Sequence, residues 1–244
     1  MNFKFNEIRV LETAFNNGAW NMALDEVLLN SVNDVPVLRL YGWKPAAVSI
    51  GYFQSMKEEV DVEKCKSMDI DVVRRITGGG AVLHDSELTY SFITRKYPQN
   101  IMESYQLICD AVIVCLNKLG FDAEFVPLND IVIDGRKVSG NAQTRKNGSL
   151  LQHGTILLDV DAEKMFTVLN VPSEKMRDKL VNDVRERVMG LKRPFNEVAK
   201  TLKEAFCEKF DSQPIIDKLT KDEDYNVRKL VKLKYATHEW NWKR

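Results

Sequence analysis

The feature that most constrains this chain is a run of three glycines, residues 78–80, that closely follows Arg74 and Arg75. Glycine has no Cβ, so successive glycines let backbone N–H groups turn toward one object and let that object approach closely. A guanidinium suits an anion that presents two oxygens. A tight turn in a β-rich sheet would explain the glycines alone. The arginines, together with the later His84 and Asp85, favour a site for a phosphate or a carboxylate.

Neither of the common glycine-rich nucleotide motifs is present. The sequence contains no G-x-x-x-x-G-K-[ST] and no G-x-G-x-x-G. The glycine run also leads into a strand-like segment, residues 81–83, where a dinucleotide motif would need a helix. The glycines therefore predict an anion site of another kind.

The composition is that of an ordinary globular protein without net charge. The chain has 244 residues, of which 35 are acidic and 35 are basic, and this length suits one large domain. A neutral total argues against bulk nucleic-acid binding, which needs a basic face. The N-terminal residues 1–7 lack the apolar core of a signal peptide, and residues 111–116 are too short an apolar run for a bilayer. We predict a cytoplasmic protein whose partners include neither nucleic acid nor a membrane.

The cysteine pattern argues against a zinc site and favours a structural role. None of the four cysteines forms a C-x-x-C pair, and the three histidines lie far apart in sequence. Free cysteine is usually buried as a small apolar side chain. We therefore predict structural roles for Cys65, Cys109, Cys115 and Cys207.

The order of predicted elements favours an α+β fold. Strand-like segments dominate residues 36–94 and 129–160, and helical patterns dominate the last third. We predict a single catalytic domain over residues 1–244, with a helical part from about residue 172. The predicted helices are residues 17–30, 61–68, 101–119, 162–169, 195–210 and 215–232.

A hairpin turn at residues 134–135, Asp-Gly, sets a local register that brings two charges together. If the loop has two residues, Val132 faces Lys137 and Asp130 faces Ser139. Lys137 and Asp130 then lie diagonally on one face with their Cα atoms roughly 7–8 Å apart. This spacing leaves room for a metal–phosphate group between them, and Mg²⁺ prefers carboxylate oxygens.

The same register predicts where His153 lies. It puts His153 opposite Ala142, on the other face of the sheet from Lys137, unless a bulge reverses the alternation. A lone histidine often only satisfies a buried hydrogen bond, so a structural role for His84 and His153 is the simpler expectation.

Several ordered motifs resemble lipoate–protein ligases and their acyltransferase relatives. The glycine segment, the Asp-Gly hairpin and the His-Gly-Thr block carry the resemblance, together with an early helix and a late Arg-Glu-Arg block. These motifs extend over about residues 11–188 and occupy residues 21–26, 51–54, 74–85, 129–130, 134–142, 153–155 and 185–188.

The resemblance implies the fold and the site residues. It implies the class II synthetase and biotin-ligase fold, a mixed, largely antiparallel sheet flanked by helices. It assigns Lys137 a catalytic contact to the acyl carbonyl and an α-phosphate, and Asp130 the magnesium ion. The residues that it implies for ATP or lipoyl-adenylate are Arg74, Thr77, Gly78, Gly79, Gly80, Val82, His84, Asn129, Asp130, Lys137, Ser139, Gly140, Ala142, His153, Gly154 and Thr155.

Two chemistries compete within this family. Ligases activate lipoate with ATP and pass the acyl group to a carrier lysine. Octanoyltransferases move octanoate from acyl carrier protein through a cysteine thioester, with the cysteine before the Asp-Gly hairpin or after the His-Gly-Thr block. No cysteine occurs at either place here. The sequence therefore predicts a lipoate–protein ligase that uses ATP, Mg²⁺ and lipoate. Residues 142–145 and 151–154 look more like the transferases, so the octanoyltransferase is the alternative.

The implied partners follow from the ligase resemblance. Carrier domains of the glycine cleavage H protein or 2-oxoacid dehydrogenase E2 type would accept the acyl group. The chain resembles the catalytic half of two-subunit ligases, so a small accessory subunit is expected. The acyl chain needs an apolar tunnel, for which the candidates are the first helix, Leu40, Trp43, Val82 and His84, and residues 171–186 are a candidate lid loop.

Overall fold

The computed structural model describes residues 3–171 and 173–244 and confirms the predicted α+β class. Its main sheet has eight strands and is largely antiparallel, and a second sheet has three strands. In the described residues the strands are Glu7–Asn16 (β1), Val37–Trp43 (β2), Ala47–Ile50 (β3), Asp71–Arg74 (β4), Val82–His84 (β5), Glu87–Thr94 (β6), Ala123–Val126 (β7), Asp130–Ile133 (β8), Arg136–Lys146 (β9), Ser149–Leu157 (β10) and Gln213–Asp217 (β11).

Helices flank both sheets. They are Gly18–Ser31 (α1), Met56–Glu59 (α2), Val62–Ser67 (α3), Ile101–Lys118 (α4), Ala162–Val168 (α5), Glu174–Arg187 (α6), Phe195–Lys209 (α7), Lys221–Leu230 (α8) and His238–Asn241 (α9), with a π-helical turn at Val231–Tyr235. In the described part of the chain, no helix is both long enough and apolar enough to cross a membrane.

The strand order places distant segments side by side. The main sheet runs β11-β1-β2-β6-β10-β9-β8-β7, and the small sheet runs β4-β3-β5. Strand β2 alternates between two cores, because successive side chains of a strand point to opposite faces. Leu38 and Leu40 pack in the core that α4 and α7 cover. Val37 and Tyr41 pack in the second core, beside α1.

Local signals account for several helix starts. The Asn17 side chain accepts a hydrogen bond from the Trp20 N–H at 2.9 Å, and Asp61 accepts one from the Lys64 N–H at 2.9 Å. Such caps satisfy backbone donors that the first helical turn leaves free, and each contributes about 1 kcal/mol.

The last third contains one strand that the sequence pattern did not predict. Residues 215–232 were expected to be helical, but Gln213–Asp217 pairs in parallel with β1 at the edge of the main sheet. Helix α8 begins only at Lys221, where Thr220 and Glu223 cap each other's backbone N–H groups. The capping box therefore fixes the start of the helix and leaves Ile215 and Ile216, both β-branched, to the strand.

Candidate active site

A cavity of about 350 Å³ lies where the two sheets meet. It is bounded by the glycine segment, the Asp-Gly hairpin, strand β10 and the end of α6. Most of its surface is apolar, with a few polar groups among the apolar ones, as is usual for a small-molecule site. The lining residues are Met22, Tyr41, Trp43, Ser49, Arg75, Gly79, Gly80, Ala81, Val82, Leu83, His84, Thr89, Asn129, Lys137, Gly140, Asn141, Ala142, His153, Gly154, Thr155, Leu157, Met165, Val184 and Val188.

Arg74 does not reach this cavity, which corrects the prediction that it binds an anion. Its side chain is fully buried. The guanidinium donates to the carbonyl oxygens of Gly51, Tyr52 and Gln54 at 2.5–3.2 Å. It also donates to the carbonyl oxygens of two residues of the C-terminal segment, Trp240 and Asn241, at 3.1 and 2.9 Å. Since its donors are occupied by backbone, Arg74 stabilises the fold beneath the site.

The neighbouring Arg75 contacts the cavity and holds the glycine segment. Its guanidinium donates to the carbonyl oxygens of Gly78 and Gly80 at 2.9 and 2.7 Å, and to Ser49 Oγ at 3.0 Å. Burial lowers the pKa of this guanidinium to about 10. Gly79 has a φ of 97°, which a residue with a Cβ rarely adopts. The arginine and the glycines thus form one rigid loop.

The hairpin contains a bulge that changes the predicted pairing of Lys137. Val132 faces Lys137 as expected, but Asp130 faces Gly140 instead of Ser139 because the register shifts by one residue. The Lys137 ammonium then contacts Asp130 Oδ1 directly, at 2.8 Å. The space predicted for a metal–phosphate group between the two charges is therefore closed by an ion pair.

The bulge also reverses the predicted separation of Lys137 and His153. His153 pairs with Ala142 as expected. Because the alternation slips at the bulge, both side chains contact the same cavity. The backbone of Lys137 is fixed from the other side, where its carbonyl accepts a hydrogen bond from the Met189 N–H at 3.0 Å.

The predicted lid loop at residues 171–186 is mostly helix. Helix α6 begins at Glu174 after the cap Ser173, and residue 172 of the predicted loop lies outside the described residues, as do residues 1 and 2 of the N-terminal segment. Val184 near the end of α6, and Val188 just after it, form part of the cavity wall. The helix therefore contributes a fixed apolar surface.

One hydrogen-bond network, here called the Asp25 network, contains Asp25, His153 and Thr77. His153 Nδ1 lies 3.0 Å from Asp25 Oδ2, and His153 Nε2 lies 2.7 Å from Thr77 Oγ1. Thr77 is fully buried and does not line the cavity. Burial lowers the pKa of His153, although the carboxylate opposes this effect. The imidazole is therefore neutral, with its Nδ1–H donated to Asp25.

The carboxylate of Asp25 is saturated with donors. Arg39 Nη1 and Ser91 Oγ donate to Oδ1 at 2.7 and 2.8 Å, and Tyr41 OH donates to Oδ2 at 3.2 Å. Burial acts to raise the pKa of Asp25, but the Arg39 guanidinium and the contact with His153 outweigh it, and the pKa is lowered. Asp25 thus holds a charge in the core of the protein.

A second network, here called the Glu87 network, contains Glu87, His84 and Ser49. His84 Nδ1 lies 2.7 Å from Glu87 Oε1, and His84 Nε2 lies 2.7 Å from Ser49 Oγ. His84 is stacked on Trp43, with ring centroids 4.0 Å apart and an interplanar angle of 13°. Ser49, His84 and Trp43 all contact the cavity. No motif in the sequence points to Ser49 or Glu87.

None of the four thiols contacts the cavity. Cys109 and Cys115 lie on α4 in the first core, Cys65 lies beneath the small sheet, and Cys207 is on α7. Burial raises the pKa of Cys65 to about 11 and that of Cys109 and Cys115 to about 12. Burial also raises the pKa of Cys207. The expected structural role of the cysteines fits these positions, since the reactive form of cysteine is the thiolate.

The cavity brings together many of the residues proposed from sequence. Gly79, Gly80, Val82, His84, Asn129, Lys137, Gly140, Ala142, His153, Gly154 and Thr155 contact it, whereas Arg74, Thr77, Gly78, Asp130 and Ser139 do not. Of the tunnel candidates, Trp43 contacts the cavity, but Leu40 faces the opposite core. Met22 also contacts it from the first helix, as expected.

Among the described residues, no group of three or more His, Cys, Asp and Glu side chains is placed to hold a metal ion. The cavity offers instead an apolar wall for a chain, two cationic residues for an oxyanion, and the imidazole of His84 beside the Ser49 hydroxyl for proton transfer.

Comparison with known proteins adds two kinds of relative. Octanoyltransferase LipM of Kyrpidia tusciae is 37% identical, over 97% of this chain and 98% of the relative. Octanoyltransferase LipM of Halalkalibacterium halodurans is 35% identical, over 97% and 99%. Among solved structures, a bi-partite lipoate protein ligase from Thermoplasma acidophilum, described with its E2 lipoyl domain, matches with a TM-score of 0.92 and 34% identity over 98% of this chain and 97% of that one.

The curated relatives correct the predicted function. They match over nearly their whole length and are octanoyltransferases, which contradicts the prediction of an ATP-dependent lipoate–protein ligase. The prediction that the enzyme uses ATP, Mg²⁺ and lipoate is wrong for the same reason. The error came from giving the missing cysteine more weight than the transferase-like residues 142–145 and 151–154.

The family itself was predicted correctly. The sequence model described as the lipoyl protein ligase A/B catalytic domain matches residues 17–211. This span contains the glycine segment, the hairpin with Lys137, the His-Gly-Thr block and both hydrogen-bond networks. The chain therefore belongs to the lipoyl protein ligase A/B catalytic domain family.

Proposed function

We propose that this protein transfers an octanoyl group from a thioester donor to a lysine amine of a lipoyl carrier domain. The observation that carries the proposal is the apolar cavity whose lining includes two cationic residues, Arg75 and Lys137, from different segments. An acyl chain needs such walls, and a carbonyl that becomes tetrahedral needs fixed positive charge. The LipM relatives support octanoate as the acyl group.

The overall reaction needs no added energy source. The carrier amine forms an amide bond with the acyl carbon, and the bond from that carbon to the donor sulfur breaks. The sulfur leaves as a thiol with the proton that the amine loses. Charge builds on the carbonyl oxygen when the acyl carbon becomes tetrahedral, and the positive charges of Arg75 and Lys137 would stabilise it. The apolar wall, with Met22, Leu157 and Met165, would hold the chain and keep water away.

Carrier domains of the H-protein or E2 type are proposed as acceptors. The structural relative from Thermoplasma acidophilum is described together with an E2 lipoyl domain, which supports a carrier of that kind. The small accessory subunit predicted from sequence has no part in this proposal, because it was tied to the adenylating route.

The test is a mass measurement of a lipoyl domain after incubation with the enzyme and octanoyl acyl carrier protein, without ATP. We expect the domain to gain one octanoyl group on its acceptor lysine. A domain whose acceptor lysine is replaced by arginine should gain nothing. The Lys137→Ala enzyme should be slower by about a hundredfold, since loss of one oxyanion donor typically costs 10²–10³ in rate.

A parallel mixture replaces the thioester by free octanoate or lipoate, with ATP and Mg²⁺. The proposal expects no product there. Modification of the carrier only when ATP is present, and none from the thioester, would refute the transferase function.

A further inference from the structure

We propose that Ser49 is the nucleophile that carries the acyl group between donor and acceptor, as an oxyester. This inference rests on the proposed transferase function and deepens it. A transferase that works through an enzyme-bound intermediate needs a nucleophile in contact with the acyl carbonyl. No cysteine of this chain contacts the cavity, so a thioester on the enzyme has no place to form there. Ser49 has the surroundings that activate a hydroxyl.

The hydrogen-bond partners of Ser49 fix the direction of its proton. Arg75 Nη1 lies 3.0 Å from Ser49 Oγ and can only donate. The hydroxyl hydrogen is therefore free to point at His84 Nε2, 2.7 Å away. His84 Nδ1 faces the Glu87 carboxylate at 2.7 Å and donates to it. The neutral tautomer thus leaves the Nε2 lone pair facing the hydroxyl, as a general base requires.

The remaining contacts hold this geometry in place. Trp43 stacks on the imidazole of His84, and its Nε1–H donates to Thr89 Oγ1 at 2.8 Å. Thr89 in turn donates to Glu87 Oε1 at 2.6 Å. Among the described residues, the buried Oε2 atom of Glu87 has no hydrogen-bond partner. A carboxylate with spare acceptor capacity beside an imidazole is poised to stabilise the positive charge that the ring gains as a base.

The burial of Ser49 also suits an oxyester intermediate. The residue is 1% exposed, and it contacts the cavity that would hold the acyl chain. An acyl group could reach the hydroxyl through the cavity, while bulk water is largely excluded. Exclusion of water protects a reactive ester until the acceptor amine arrives.

The steps balance as two acyl transfers. Ser49 Oγ attacks the thioester carbon while its proton passes to His84 Nε2, and Lys137, which lines the same cavity, would stabilise the carbonyl oxygen. The bond from the carbon to the donor sulfur then breaks, and the sulfur takes the proton and leaves as a thiol. In the second half, the carrier amine attacks the ester carbon and gives up a proton. The bond to Oγ breaks and Ser49 regains its hydrogen.

Glu87 is a positioning residue in this scheme, because it acts through His84. Glu87→Gln keeps the shape of the side chain but removes its charge. We expect this variant to load with a lower kcat and an unchanged KM for the donor. A purely structural role would instead move both constants, or the amount of folded enzyme.

The test begins with wild-type enzyme and octanoyl acyl carrier protein in the absence of a lipoyl domain. After an acid quench, intact mass should show one octanoyl group on the enzyme, and peptide mapping should place it on Ser49. The bond should survive neutral hydroxylamine, which cleaves thioesters much faster than oxyesters. Transfer to a lipoyl domain is measured in a second mixture with the same enzyme.

Variants separate the two hydroxyls that face histidines. Ser49→Ala should load no acyl group, and His84→Gln should load about 10²–10⁴-fold more slowly. Thr77→Val, in the Asp25 network, is the matched control and should load normally. Ser49→Cys tests whether substitution at this position by itself prevents folding. It keeps a nucleophile of similar size, so the enzyme should still load and give an acyl-enzyme that hydroxylamine cleaves.

Each outcome decides between the claims. Octanoyl on Ser49 supports the inference. Carrier modification without an acyl-enzyme, or with the acyl group on a cysteine, overturns the role of Ser49 but leaves the transferase function standing. If the enzyme carries no acyl group and the carrier is not modified, the role of Ser49 and the transferase function are both overturned.

Discussion

Two histidines contact the same cavity, and each lies between a hydroxyl and a carboxylate, yet their surroundings differ. In the Asp25 network, the carboxylate receives donors from four side chains, including the fully buried Arg39. In the Glu87 network, one oxygen receives two contacts and the other receives none. The Asp25 carboxylate is satisfied by the fold, whereas Glu87 keeps capacity for a charge that appears during a reaction.

The hydroxyls at the other end of the networks differ in the same way. Thr77 is fully buried outside the cavity, while Ser49 contacts it. The resemblance between the two networks is therefore one of connectivity only. Access and unused hydrogen-bond capacity distinguish a group that can react from one that stabilises the core.

The largest expected difference concerns stability. Asp25→Ala leaves the Arg39 guanidinium buried without its counter-charge, so the free energy of unfolding should fall by about 3–5 kcal/mol. Among the described residues, Glu87 is contacted by His84 and Thr89, neither of which carries a permanent charge, so the loss on Glu87→Gln should stay within about 1–2 kcal/mol. Urea unfolding followed by circular dichroism measures both. Equal losses would remove the distinction between the two carboxylates.

The second difference concerns the rate of acyl transfer. His84→Gln should lower kcat by about 10²–10⁴-fold, the usual contribution of a general base. His153→Gln should lower it by less than about tenfold, because the hydroxyl that faces His153 Nε2 belongs to Thr77, which does not line the cavity. Steady-state octanoylation of a lipoyl domain gives both numbers. If kcat fell more in His153→Gln than in His84→Gln, His153 and not His84 would be assigned as the general base.

Removal of a single donor gives a smaller contrast. Thr89→Val takes away one of the two contacts of Glu87 and also leaves the Trp43 N–H without its partner, so about 1–3 kcal/mol of stability should be lost. Ser91→Ala takes one of four donors from Asp25, and about 0.5–1.5 kcal/mol should be lost. Thermal or urea unfolding measures the loss of stability in each variant. A larger loss for Ser91→Ala than for Thr89→Val would contradict the prediction.

The smallest effect is a dependence of stability on pH. Burial lowers the pKa of His153, next to Asp25 and with Arg75 and His84 nearby. In the unfolded chain the His153 imidazole therefore binds a proton near pH 6.5, whereas in the folded chain it stays neutral at that pH. The free energy of unfolding consequently falls as the pH falls through 6.5. Between pH 7 and 5.5, wild type should lose up to about 1.4 kcal/mol more than His153→Gln. Urea unfolding at both pH values measures this, and equal losses would show that His153 titrates normally.

Local sequence signals predicted the parts of the site that depend on neighbours in sequence. The Asp-Gly turn fixed the pairing of Val132 with Lys137, and period two placed His153 opposite Ala142. The family resemblance then identified most of the cavity residues, although they belong to motifs that are separated in sequence. These features depend on short-range geometry or on ordered motifs, and both can be seen in a single sequence.

Features that depend on distant contacts could not be predicted. Arg74 and Arg75 are adjacent and chemically identical, and the enclosure of Arg74 depends on carbonyls within residues 51–54 and on Trp240 and Asn241, which are more than 160 residues away. The contact between Ser49 and His84 requires that β3 pairs with β5. No residue type in the hairpin predicts its bulge. The bulge puts the Lys137 side chain on the opposite face of the sheet from the predicted one.

The contacts of Arg74 tie the glycine segment to the end of the chain. Trp240 Nε1 donates to the Arg74 carbonyl at 2.9 Å, and the Asn241 side chain accepts from the Arg74 N–H at 2.8 Å. These partners follow Arg74 by more than 160 residues, so the support of the cavity requires contacts between segments that are far apart in sequence. Loss of residues 240 and 241 is therefore expected to loosen the backbone that supports the glycine segment, although neither residue lines the cavity.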